Sequence, residues 1–120
     1  MPLTDPYPLN TVVVSAYMAD VGTAGSCYVA SPCRGQLVLA QSCLQAAITT
    51  ADCTWSLEVN NVAVTGTATI AFTSAAAGDV DSVIPTGAIY VNPGDTIEFK
   101  SAGESSGTAP AIFSAVIRVG

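Results

Sequence analysis

Cys53-Thr54-Trp55-Ser56-Leu57-Glu58-Val59-Asn60-Asn61-Val62-Ala63-Val64 carries the clearest folding signal in this chain. Cys53, Trp55, Leu57 and Val59 alternate with Thr54, Ser56, Glu58 and Asn60. That period of two marks a strand with one buried face and one wet face. Cys53 and Trp55 therefore belong to a core. Asn60-Asn61 then forms a two-residue turn, since asparagine tolerates the positive φ that tight hairpins require. Val62-Ala63-Val64 returns antiparallel.

Working outward, the same period recurs. Thr11 to Met18 is rich in Val and Tyr and reads as a strand, which Gly22 and Gly25 break. Ser26 to Ala30 is a short strand, stopped by Ser31-Pro32. Gly35 to Ala46 follows, with Leu37, Leu39, Gln41 and Cys43 on one face and Val38, Ala40, Ser42 and Leu44 on the other. Both faces carry apolar residues, so the outer face of this strand is expected to meet something. Thr67 to Thr73, Val80 to Ile84, Ala88 to Val91, Thr96 to Ser101 and Ala111 to Val119 complete the strands. Asn92-Pro93-Gly94-Asp95 fits a type II turn, with Pro second and Gly third. No stretch keeps a helical period over three turns. About eight strands joined by turns predict an all-β, single-domain antiparallel β-sandwich, a jelly roll. The domain spans 11–120. Residues 1–10 hold Pro2, Pro6 and Pro8 and read as an extended N-terminal arm.

Composition narrows the function. Only 10% of the 120 residues are charged, against about 25% in an average soluble domain. Much of the surface must be Ala, Ser, Thr, Gly and Asn, which loses little hydration when covered. This favours subunit contacts. The net charge is −6, with Arg34, Lys100 and Arg118 as the basic residues. Nucleic acid and anionic membranes both demand basic clusters, so neither is an expected partner. The first ten residues lack a basic region followed by an apolar one, so they do not read as a secretory signal.

Chemistry is sparse. Histidine is absent, which removes the usual base of Ser and Cys nucleophiles. Lys100 beside Phe99 reads as a solvated charge. Asp79, Asp81, Asp95 and Glu98 have the density of ordinary loop carboxylates. Asp79 and Asp81 share one side of an extended segment, but calcium needs six to eight oxygens. No catalytic residue, metal ligand or cofactor is assigned. Cys27, Cys33, Cys43 and Cys53 lack zinc-ligand spacing. They read as free buried thiols, with Cys27–Cys33, across the turn at Pro32, as the candidate disulfide.

From Gly35 onward the chain resembles the decoration, or cement, proteins of tailed-bacteriophage heads. The resemblance rests on Gly35-Gln36-Leu37-Val38 leading to Gln45-Ala46-Ala47-Ile48, and on Ala51-Asp52-Cys53-Thr54 before Trp55. Glu58-Val59-Asn60-Asn61-Val62-Ala63-Val64, Ala76-Ala77-Gly78-Asp79-Val80-Asp81-Ser82 and Val91-Asn92-Pro93-Gly94-Asp95-Thr96-Ile97-Glu98 extend it. Family members commonly have Gly where this chain has Asn61. The resemblance implies a structural jelly-roll protein, not an enzyme, on the virion exterior. It implies a homotrimer at local three-fold positions, bridging capsomers of the major capsid protein, made in the host cytoplasm. Tyr7, Pro8 and Leu9 of the arm are the expected capsid contacts.

The competing expectation is a carbohydrate- or receptor-binding jelly roll, as in a phage fibre. Such a module stacks sugars on exposed rings. Trp55, Phe72 and Phe113 fit core faces, which leaves Tyr7, Tyr17, Tyr28, Tyr90 and Phe99 as candidate platforms. An unusual enzyme built on Asp79, Asp81 or Asp95 is the third reading.

Overall fold

A computed structural model describes residues 10–87, 89–104 and 108–119. Its strands are β1 (Thr11–Met18), β2 (Gly25–Ala30), β3 (Gly35–Leu44), β4 (Cys53–Val59) and β5 (Val62–Ile70). They continue with β6 (Val80–Val83), β7 (Tyr90–Val91), β8 (Thr96–Ser101) and β9 (Ala111–Val119). The first sheet has the order β1-β9-β3-β6, with β7 also on β3, and the second has β2-β8-β4-β5. The pairs β1·β9, β2·β8, β3·β6 and β4·β5 are nested and antiparallel. A long hairpin rolled up around its own tip has this connectivity, which is a jelly roll.

The tip is the Asn60-Asn61 turn. Both residues have positive φ, 50° and 65°, as a type I′ turn requires. Asn60 also ties the turn to β8, for its Oδ1 accepts from Thr96 N at 2.9 Å. The second turn behaves as its sequence predicts. Gly94 has φ 87° and Asp95 N donates to Asn92 O at 3.0 Å, the type II arrangement.

The core lies between the sheets and centres on three rings. Trp55 of β4 and Phe99 of β8 come from the second sheet, and Phe113 of β9 from the first. Trp55 and Phe113 meet edge to face at 5.1 Å, and Phe99 and Phe113 stack at 5.2 Å. Trp55 Nε1 donates to Ser42 Oγ at 3.1 Å, so the indole N–H keeps a partner inside the core.

Four expectations need correction. First, Leu37 and Leu39 do not share a face. The pairing of β3 with β9 shifts between them, so Val38 is an extra residue and Leu37 points inward with Ala40, Ser42 and Leu44. A bulge of this kind resets the alternation. Second, Val62–Val64 and Thr67–Thr73 are one strand that ends at Ile70. Its pairing shifts opposite Ser56, around Gly66, whose φ is +116°. An added Cβ there would meet Val83 Cγ2 at 2.6 Å, so glycine serves both the bend and the close approach. Third, Phe72 is not a core residue. The chain has left the sheet by then, Phe72 N donates to Asp52 Oδ1, and the ring is 42% exposed. Phe99, offered as a platform, is fully buried instead, because β8 turns Ile97, Phe99 and Ser101 inward.

Candidate interaction surface

The pleat sends every second residue of the first sheet outward, and the register lines these up across the strands. One row reads Tyr17, Ile112, Cys43, Val80. The next reads Ser15, Ser114, Gln41, Ser82. The third reads Val13, Val116, Leu39. Beyond it lie Thr11, Arg118, Gln36 and Tyr90. Tyr17, Val13 and Val80 are 61%, 60% and 57% exposed, and Ile84, just past β6, is exposed too. Ser15 and Ser114 bond across the middle row, Oγ to Oγ at 3.3 Å. The surface is thus apolar, then hydroxyl and amide, then apolar. Among the described residues of these rows, Arg118 alone carries charge.

The second sheet presents a different surface. Tyr28, Glu98, Glu58 and Ala63 form one row, and Ser26, Lys100 and Ser56 the next, with Thr54 and Thr69 beyond. Glu58 and Glu98 face each other directly. Like charges opposite one another destabilise a sheet, and each has a neighbour that offsets this. Ser26 Oγ donates to Glu98, which is 6% exposed. Lys100 Nζ lies 3.4 Å from Glu58 Oε2.

The residues singled out in the sequence scatter. Tyr7, Pro8 and Leu9 lie outside the described residues. Cys27, Cys33 and Cys43 are free thiols in the structure, and Cys53 is buried. Cys27 is buried between the sheets, and that burial, with Glu98 adding to it, pushes its pKa up to about 11. Cys33 is half-buried. Asp79 Oδ2 accepts from Ala76 N at 3.0 Å and closes its own turn. Asp81 is half-buried, and burial, followed by the nearby Asp79 carboxylate, raises its pKa. Asp95 braces the type II turn by accepting from Asn92 N. Among the described residues no three or more His, Cys, Asp or Glu come together as metal ligands.

The exposed aromatic rings do not converge. Tyr17 and Tyr90 lie at opposite ends of the first sheet and toward opposite edges of it, Tyr28 is on the second sheet, and Phe72 is in the loop after β5. A depression of about 250 Å³ lies between the β4–β5 hairpin and Ile89-Tyr90, and one of about 130 Å³ sits beside Lys100 and Thr67. Both fall below the roughly 300–1,000 Å³ of small-molecule sites. The broad outer face of the first sheet was half legible in the sequence, through the two-sided apolar pattern of β3. Its partners on β1, β9 and β6 needed the register.

No family model matches the chain. No curated protein matches it. Among solved structures, Eiger TNF from S. frugiperda is similar over 90% of this chain and 93% of its own length, with a TM-score of 0.46 and 9% identity. That likeness is too distant to bear on what this chain does.

Proposed function

We propose that this protein is a structural subunit that works by contact with other proteins, decorating and stabilising the outside of a tailed-phage capsid. The observation that supports it is the outer face of the first sheet: wide, apolar and nearly free of charge on a chain of net charge −6. Exposed apolar rows with so little charge between them favour protein contacts. The capsid as the setting comes from the sequence resemblance. A jelly roll hosts many functions, so the fold does not select one.

On this reading the domain clamps neighbouring capsomers, and residues 1–10 reach onto the major capsid protein. No step of chemistry is asked of it. The glycan-binding alternative gains nothing from exposed rings that lie far apart.

The test is co-sedimentation of the purified protein with empty, expanded shells of the phage whose structural genes include this chain. Saturable binding, a raised shell melting temperature and loss of binding on removing residues 2–10 are expected. Absent shell binding, together with micromolar binding on a glycan array, would overturn the proposal in favour of the carbohydrate reading.

A further inference from the structure

We infer that the free edge of β1 takes up an extended segment of the major capsid protein, which adds to the first sheet as one more strand beyond β1. The inference rests on the capsid reading above and names how the shell is gripped.

The register decides which backbone groups are on offer. β1 ends its sheet, with β9 on one side and, among the described residues, no strand on the other. In an antiparallel pair, opposed residues alternate between exchanging hydrogen bonds and turning their backbone groups away. Val119 N donates to Asn10 O at 2.6 Å. The bonded pairs that follow are Val12–Ile117, Val14–Ala115 and Ala16–Phe113. The N–H and C=O groups of Val13, Ser15 and Tyr17 therefore point off the sheet, at its free edge.

Such an edge is a template for a further strand, and proteins usually blunt it with a charge, a proline, a bulge or a short length. β1 has none of these. Its eight residues, Thr11–Met18, hold no charge, proline or glycine, and its register with β9 runs unbroken. The other outer strands are guarded. β6 has four residues and carries Asp81, and β7 has two. β5 is bent at Gly66, and β2 has six residues and opens on Gly25.

The occupant follows from what the edge adjoins. Side chains and backbone groups alternate with the same period along a strand. Val13, Ser15 and Tyr17 are thus also the outermost members of the three rows on the outer face. A strand laid against them continues those rows and widens the contact surface without covering it. The face that meets the shell and the edge that accepts a strand form one continuous region. Main-chain bonds supply the affinity of such an addition, and alternate side chains supply its specificity. The segment expected is extended, with apolar side chains beside Val13 and Tyr17 and a polar one beside Ser15.

The experiment removes one donor from the edge. The Ser15 N–H takes no part in the β9 ladder, and proline is tolerated on an edge strand where its missing N–H would face outward. Ser15→Pro should therefore keep the wild-type circular dichroism spectrum. It should bind empty shells at least about tenfold more weakly, since a partner carbonyl loses its donor. Ser15→Ala keeps the N–H and loses the hydroxyl bonded to Ser114. It should bind within about threefold of wild type. Amide exchange of the wild-type chain, resolved by residue in fragmentation mass spectrometry, needs no variant. The Val13, Ser15 and Tyr17 amides should exchange fast in the free protein and be protected on shells. Wild-type binding by a folded Ser15→Pro, an equal loss in Ser15→Ala, or amides that stay fast on shells would each overturn the added strand and leave the capsid reading standing. Protection of the same amides in the free protein would put this chain itself on the edge and overturn it too. No shell binding by wild type would remove the capsid and the strand with it.

Discussion

The two outer faces of this sandwich differ more than its two inner ones. The inner faces share one aromatic cluster, with Trp55 and Phe99 from one sheet and Phe113 from the other. Outside, the second sheet carries Glu58, Glu98 and Lys100 among hydroxyls, while the first carries two apolar rows around one row of Ser and Gln. One chain with so few charges has placed them unevenly. The exposed Lys100 and half-buried Glu58 keep the second sheet hydrated, and the lack of such groups leaves the first ready to be covered.

The largest expected effect breaks what the faces share. Trp55→Ala removes the ring that touches both phenylalanines and leaves Ser42 Oγ without its indole donor, so it should cost about 3–5 kcal/mol. Urea unfolding would read this, and a loss under 1 kcal/mol would mean that the sheets hold together without that cluster.

Next come the thiols, which report the two environments. Cys27 inside the second sheet should react with a maleimide at pH 7.5 at least a hundredfold more slowly than an ordinary cysteine, because burial and a pKa of about 11 leave almost no thiolate. Cys43, on the outer face of the first sheet, should label readily in the free protein and be protected when the protein is bound to shells. Equal labelling of Cys43 free and on shells would leave that face uncovered. Peptide-resolved mass spectrometry separates the two sites.

Two carboxylates at the margin of the first sheet should respond to pH in opposite senses. Asp20 has a lowered pKa in the fold, so its contribution is present above the ordinary carboxylate value and lost as pH falls through the lowered one. Asp20→Asn should lower Tm at pH 7 and converge with wild type near pH 2. Asp81 has a raised pKa, so its ionised form opposes folding once pH exceeds that value. Asp81→Asn should raise Tm at pH 7 and change nothing below pH 3. Parallel shifts of both variants would remove the distinction.

The smallest effect is at the tip. Asn61→Gly, which relieves a positive φ without touching the Asn60 bond to Thr96, should change stability by no more than about 0.5–1 kcal/mol, and upward. A clear loss in thermal denaturation would mean that the Asn61 side chain holds something in place.

Much of the sandwich was readable in the sequence because its turns are chemically explicit. Asn60-Asn61, Asn92-Pro93-Gly94-Asp95 and Ser31-Pro32 each state where a strand stops, and β1, β4, β8 and β9 have the limits that their alternation gives. The bulges were not readable with equal ease. Leu37-Val38-Leu39 is apolar in either phase, so nothing local says that Val38 is extra. Gly66 is the one residue that marked the irregularity of β5, as a lone glycine in a strand does. Phe72 was misplaced for the same reason. Its alternation with Ile70 continues past the point where the chain leaves the sheet. The interaction face needed more than pattern, since Tyr17, Ile112, Cys43 and Val80 become neighbours only when β1, β9, β3 and β6 are aligned.

The central claim is that the first sheet, not the second, makes the contact. Co-sedimentation of Val116→Glu beside Thr69→Glu with empty shells, matched charges on the two outer faces, tests it most directly. The account predicts lost shell binding for Val116→Glu and wild-type binding for Thr69→Glu. Binding by both variants, or by neither, would contradict it.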